Sequence, residues 1–194
     1  MANDDLAGHD DLLLAGDIGG TNARFRVIAP GQLTTSLFEK SYDDCTVQHA
    51  CERFVEEVGE AAKRIRTAGV GVAGRVVDGD VHLTNRPGET ITNESIAEDL
   101  NLPADHVVVV NDMACHLSGI EHCDVADLRD GRPTGNVQGI LMPGTGLGVG
   151  GRICVNDTWH PLPSEGGHLD FGSPHADYEP IRQSLLQQVG GTQL

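Results

Sequence analysis

Residues 12–29 read LLLAGDIGGTNARFRVIA, two apolar runs divided by Gly19-Gly20-Thr21-Asn22. Each run is too short for a helix and ends at glycine punctuation, so the stretch predicts a strand, a tight turn and a second strand. LTTSLFEK (33–40) extends the pattern to a third strand. Residues 46–66 then place Val47, Ala50, Phe54, Val58, Ala61, Ala62 and Ile65 three or four apart among charges, the period of an amphipathic helix. A buried strand follows in AGVGVAG (68–74), and Asp78-Gly79 marks a two-residue hairpin turn. Thr92 or Asn93 is placed to cap a helix through residue 100. VVVV (107–110) is short and β-branched, hence a strand, and a helix carrying Met113, Leu117 and Ile120 starts at Asn111-Asp112. Beyond a polar linker over 124–135, NVQGILMPGTGLGVGGRICV (136–155) reads as two strands around a glycine-rich turn. Residues 178–189 read as a last helix. Three strands followed by alternating helices and strands describe an α/β protein built on a mixed sheet with covering helices.

Composition narrows the function. The 194 residues carry 29 acidic and 13 basic side chains, a formal charge of -16, and Lys40 and Lys63 are the lysines. Such a field repels nucleic-acid backbones, so no nucleic-acid partner is expected, while a nucleotide can still bind where backbone N–H groups and a metal override the diffuse charge. With 4% aromatic residues the core is expected to rest on Val, Leu, Ile and Ala. Cys45, Cys51, Cys115, Cys123 and Cys154 show no C-x-x-C spacing, which suits buried thiols in a reducing cytoplasm better than a disulfide framework or a zinc site. The polar, acidic start MANDDLAGHDD is no secretory signal, and no apolar run reaches the roughly 18 residues of a membrane span. The expected location is the cytoplasm, without a membrane partner, and a homodimer is compatible with the sequence. Residues 1–10 are expected to be a disordered acidic tail.

Four constellations carry chemistry. In Asp17-Ile18-Gly19-Gly20-Thr21-Asn22, the glycines admit close backbone approach and positive φ, so successive N–H groups can point at one anion. Asp17 is placed to hold a hydrated Mg²⁺ beside the same phosphates. An ordinary hairpin turn would look similar. Gly144-Thr145-Gly146-Leu147-Gly148 is a second such turn; it is no Walker sequence, because no Gly-Lys-Ser/Thr follows. Asn111-Asp112 lies at the carboxyl end of a buried strand, where ligand chemistry in α/β folds concentrates, and Asp112 suits either a general base or a helix cap. Glu165-Gly166-Gly167-His168 presents a carboxylate and an imidazole on a tight loop fitted to adjacent sugar hydroxyls.

Taken in order, GDIGGTNARF, LTNRPG, VVNDM, GTGLGV and LPSEGGHLDF resemble the bacterial-type glucokinases of the actin-like ATPase superfamily, from Leu12 to about Gly191. The resemblance implies an actin-like, ribonuclease H-like fold with a small amino-terminal lobe (11–110) and part of a large lobe (111–194). It implies that Asp17, Gly19, Gly20, Thr21 and Asn22 form one phosphate loop and Gly144, Thr145, Gly146 and Gly148 the other, with ATP and Mg²⁺. Asn85, Asn111, Asp112, Glu165 and His168 would contact glucose, with Asp112 as catalytic base. A cysteine-rich zinc motif, expected in the related repressor and kinase group, is missing, which favours the glucokinase branch. The family usually has Trp after the Thr-Asn of the sugar loop, where this chain has Arg86-Pro87-Gly88. It also continues past this chain's last residue with a further sugar-binding glutamate, an adenosine motif and a terminal helix. The chain is therefore expected to be the amino-terminal portion of such an enzyme, with a sugar-binding fragment or regulator as the alternative function.

Overall fold

In the computed structural model, residues 6–83, 88–124, 126, 135–143, 147–162, 164, 166–168 and 175–188 are described. They fall into two compact units, Met1–Asp130 and Gly131–Leu194.

The first unit is a five-stranded mixed sheet in the order β3-β2-β1-β4-β8. Strands β1 (Leu12–Ile18), β2 (Asn22–Ile28) and β3 (Phe38–Asp43) form an antiparallel meander; the glycine punctuation predicts the first two, while the third starts five residues after the expected 33–40. Helix α1 (Val47–Val58) follows, capped by Thr46, whose hydroxyl accepts from the His49 N–H. The helical pattern suggested an end near residue 66. Instead Gly59 takes φ 63° and stops α1, a 3₁₀ turn covers Gly59–Arg64, and Ile65 already opens the next strand. With ψ at -136° this is a conformation open to glycine and closed to residues with a Cβ, and it ends the helix despite the apolar periodicity beyond it.

Strand β4 (Ile65–Val72) runs parallel to β1. The hairpin β5 (Gly74–Val77) and β6 (Asp80–Leu83) turns on Asp78 (φ 53°) and Gly79 (φ 96°), the pair of positive angles that matches strand twist. Two-residue β7 (Thr90–Ile91) adds to β6. Helix α2 (Asn93–Leu100) is held by a reciprocal capping box between Thr92 and Ser95, and its first side chain, Asn93 Oδ1, accepts from the Val109 N–H at 2.8 Å. That bond lies on β8 (Val107–Asn111), parallel to β4 at the end of the sheet. Helix α3 (Asp112–Gly119) packs back on β4 and β8 and so belongs to the first unit, whereas a boundary at 110/111 would place it in the second.

The core differs from the compositional expectation at one spot. Phe25, Phe38 and Phe54 gather with Tyr42, ring centroids 5.1 Å apart for Phe25–Phe54 and 5.9 Å for Phe38–Phe54. The few aromatics are concentrated where α1 meets β2 and β3, and each fully buried ring contributes about 2–3 kcal/mol. Val, Leu, Ile and Ala fill most of the rest, including Leu14, Ile18, Val70, Val72 and Ile96, with Cys51 among them. Residues 6–10 also depart from the expected disordered tail. Leu6 is fully buried, and Arg64 donates to the Leu6 and His9 carbonyls at 2.9 and 2.8 Å; Asp11, just beyond, pairs with Arg66.

The second unit is a three-stranded antiparallel sheet, β9 (Val137–Pro143), β10 (Leu147–Val155) and β11 (Thr158–Leu162), in the order β11-β10-β9. Strand β11 escaped the sequence pattern because Asn156 and Asp157, both at positive φ, make the turn without glycine. Arg152 is buried, stacked 4.4 Å from the Trp159 ring and bonded to Gln138. Helix α4 (Glu179–Gln188) follows, close to the expected 178–189.

Candidate active site

The parallel strands β1, β4 and β8 end side by side, with Asp17, Gly71 and Val110 in one row and Ile18, Val72 and Asn111 in the next. Carboxyl ends of parallel strands are the side from which α/β proteins bind ligands. The chain leaves β1 into Gly19–Asn22, closed by Gly19 N–H donating to the Asn22 carbonyl at 2.9 Å. Asp44 N–H holds the Thr21 carbonyl from outside, while Thr21 and Asn22 are exposed. The left-handed glycines among the described residues are Gly31, Gly59, Gly79 and Gly88, so Gly19 and Gly20 do not use positive φ as the sequence suggested. At Gly19 the requirement is space: a Cβ would stand 3.1 Å from Asn22 Oδ1.

On the far side, β8 hands over to α3 through Asn111 and Asp112. Asn111 is the N-cap, its Oδ1 accepting from the Ala114 N–H at 3.2 Å. Its Nδ2 donates both to the Gly74 carbonyl at 2.9 Å and to Asp112 Oδ1 at 3.0 Å. Asp112 Oδ1 also accepts from the Met113 N–H at 2.8 Å. The cap is therefore Asn111, and Asp112 is left half-buried with one oxygen fixed and the other free to accept.

Two strand spacings, about 10 Å, separate the backbones of Ile18 and Asn111, the neighbours of Asp17 and Asp112 in the chain. Cys115 lies over Gly71; it is exposed, unlike the buried thiol expected, yet desolvation of its inner side, and then the carboxylates of Asp17 and Asp112, push its thiol up. Neither Gly71 nor Cys115 stands out as a site residue in the sequence; a glycine inside a β-branched strand is the one signal of close packing. Asp17 is exposed and enters no ion pair among the described residues.

In the second unit, Gly148 is the second residue of β10, and Gly166–His168 form a 3₁₀ turn against the same strand. A Cβ on Gly167 would collide with the Leu147 carbonyl, and one on Gly166 would stand 3.0 Å from Val149 Cγ1. Gly166 and Gly167, from the expected sugar loop, thus touch Val149 and Leu147 at the start of β10 within one unit. Asn85, Gly144, Thr145, Gly146, Glu165 and the His168 side chain lie outside the described residues.

A family model described as glucokinase matches residues 14–192. The chain belongs to the glucokinase family. Glucokinase of Rhizobium etli is 36% identical over 191 residues, covering 94% of this chain and 54% of that protein. The chain spans about half the length of the relatives it matches. The structure of a Balamuthia mandrillaris glucokinase in complex with glucose superposes with a TM-score of 0.69 at 20% identity, covering 91% of this chain and 54% of that one. A Streptomyces griseus glucokinase of the ROK family, in complex with glucose and AMPPNP, gives 0.58 at 21%, covering 83% and 51%. The fold is that of the actin-like sugar kinases, as the motifs implied.

An open pocket of about 520 Å³ elsewhere in the first unit, between α1 and α2, is lined by Glu52, Glu89, Glu98 and Asp99. Its acidic lining is wrong for a polyphosphate. No helix among the described residues is long and apolar enough to cross a membrane.

Proposed function

We propose that this chain carries the phosphate loop and catalytic base of a cytoplasmic glucokinase, transferring the ATP γ-phosphoryl group to the 6-hydroxyl of glucose, the first step of glycolysis. The observation that carries the reading is the placement of Asp112: a carboxylate at the end of a parallel strand, one oxygen pinned by Asn111, across Gly71 from Asp17 and the Gly19–Asn22 turn.

Asp112 Oδ2 takes the proton of the 6-hydroxyl as that oxygen attacks the γ-phosphorus, and the bond to the β–γ bridging oxygen breaks with its electrons leaving on ADP. The Asn111 amide holds Oδ1, so the carboxylate cannot rotate away from the incoming hydroxyl. Gly19, Gly20, Thr21 and Asn22, with Gly144, Thr145, Gly146 and Gly148, supply donors for the phosphates. Asn85, Glu165 and His168 orient the sugar. Among the described residues no group of three or more side chains of the kind that ligate metals is assembled. The exposed Asp17 carboxylate would hold a Mg²⁺ ion shared with the bound phosphates, a mode that needs few protein ligands. The chemistry such an ion would supply, held by Asp17, is neutralisation of charge on the transferred group.

Calorimetry with glucose, followed by a coupled assay for glucose 6-phosphate with saturating ATP and Mg²⁺, tests the reading. Absence of glucose binding refutes the sugar site; binding without turnover by this chain, joined to turnover by a polypeptide of the relatives' length, identifies a sugar-binding portion.

A further inference from the structure

Strand β4 alternates Val70 and Val72, buried in the main core, with Gly71. Gly71 faces α3. A Cβ at this position would stand 3.2 Å from Cys115 Cβ, 3.4 Å from Cys115 Sγ and 3.5 Å from the Cα of Asp112. The first distance is shorter than side chains normally tolerate, and it involves the helix-anchored root of Cys115 rather than a flexible tip. The neighbours of Gly71 across the sheet are Asp17 on one side and Val110 on the other.

We propose that Gly71 is a positioning residue for the phosphoryl transfer: its missing side chain lets the first turns of α3 rest on β4, and that depth of packing fixes where the Asp112 carboxylate stands relative to Asp17 and the phosphate turn. Cys115 is its size partner: although exposed on its outer side, it sets its Cβ and Sγ over Gly71. The inference rests on the reading of Asp112 as base. Its physical content is separate, because the contact is a property of the fold. Backbone at Gly71 is not left-handed, so a substitution there acts through volume and not through conformational strain. A methyl group on Gly71 must lift α3 by a few tenths of an ångström, because β4 is clamped between β1 and β8 and cannot retreat. Small displacements of a base from its reacting geometry cost far more in rate than in binding.

The experiment compares Gly71→Ala, Gly71→Ala/Cys115→Ala and Gly71→Ala/Cys115→Gly with the parent. The alanine pair removes the Sγ contact; the glycine version removes Cβ as well. In a chain that turns over, Gly71→Ala is expected to lower kcat about tenfold or more with KM for glucose within about threefold. Activity should recover stepwise through the two double variants, even though Cys115→Gly lowers helix stability. A general loss of stability would order the variants the other way, with the glycine pair worst. A second readout does not depend on turnover: the amide resonances of Met113 and Ala114, which donate to Asp112 Oδ1 and Asn111 Oδ1, should shift in Gly71→Ala and return in the double variants. Unmoved amides, or a kcat that Cys115 substitution does not restore, overturn the proposal. Shifted and restored amides beside an unchanged kcat, in a polypeptide that phosphorylates glucose, support the packing and place the failure in the assignment of Asp112.

Discussion

The side-chain amide of Asn111 donates to Asp112 Oδ1 at 3.0 Å, while the same residue's Oδ1 caps α3 through the Ala114 N–H. One side chain thus starts the helix, holds the Gly74 carbonyl and orients the neighbouring carboxylate. Replacing Asn111 with Ala removes the cap and strands a carbonyl, an expected cost of about 1–2 kcal/mol. Thermal unfolding followed by circular dichroism should show a midpoint lower by about 2–8 °C. An unchanged midpoint contradicts the capping geometry.

Asp112→Asn keeps the shape and removes the proton acceptor. Turnover is expected to fall by about 10² to 10⁴, with glucose affinity within about tenfold of the parent, in a polypeptide that phosphorylates glucose. Retention of more than about a tenth of the parent rate excludes Asp112 as base. Glu165→Gln should do the reverse, weakening glucose binding in calorimetry by loss of a charged acceptor.

Asp99 is a site of pH sensitivity. Burial, and then the carboxylates of Glu52 and Glu98, raise its carboxyl above the ordinary range. In the window between the usual carboxylate value and this raised one, the folded state holds more proton than the unfolded state, so stability falls as pH rises through it and stays low above. Asp99→Asn should therefore unfold at a higher temperature than the parent at pH 7, and the gap should close towards pH 4. A gap independent of pH would sink the idea.

The charge of -16 is spread over a surface that holds few counter-charges. Melting temperature should rise from low salt to about 1 M NaCl, as the screening length contracts to roughly 3 Å. A flat or falling midpoint across that range counts against self-repulsion as a destabilising force.

The strands were legible because glycine and β-branched residues punctuate them: GDIGGT, Asp78-Gly79 and VVVV each sit where the pattern placed them. The long helix over 46–66 misread Ala61, Ala62 and Ile65, since apolar spacing cannot register that Gly59 has taken a positive φ. Strand β11 was missed for a related reason, a turn made by Asn156 and Asp157. Residues 6–10 looked like a tail because polarity hides the single anchor, Leu6, and its partner Arg64 is far off in sequence. At the site, Asp17 and Asp112 were visible as carboxylates after apolar runs. That Asn111 rather than Asp112 would cap α3 was not, because both residue types suit that position. Gly71 and Cys115 acquire meaning only from the contact of α3 with β4.

Asn93 has an effect beyond its own helix. By accepting from the Val109 N–H on the outer side of β8, it occupies a donor that a strand arriving from another molecule would need. Ribbon-like stacking of copies along this border would first have to evict a side chain held at 2.8 Å. The cost of eviction falls on the intruder at the start of pairing, before any new ladder has formed. A border guarded in this way lets the protein keep three hydrophobic parallel strands at its centre without offering the last of them as a template.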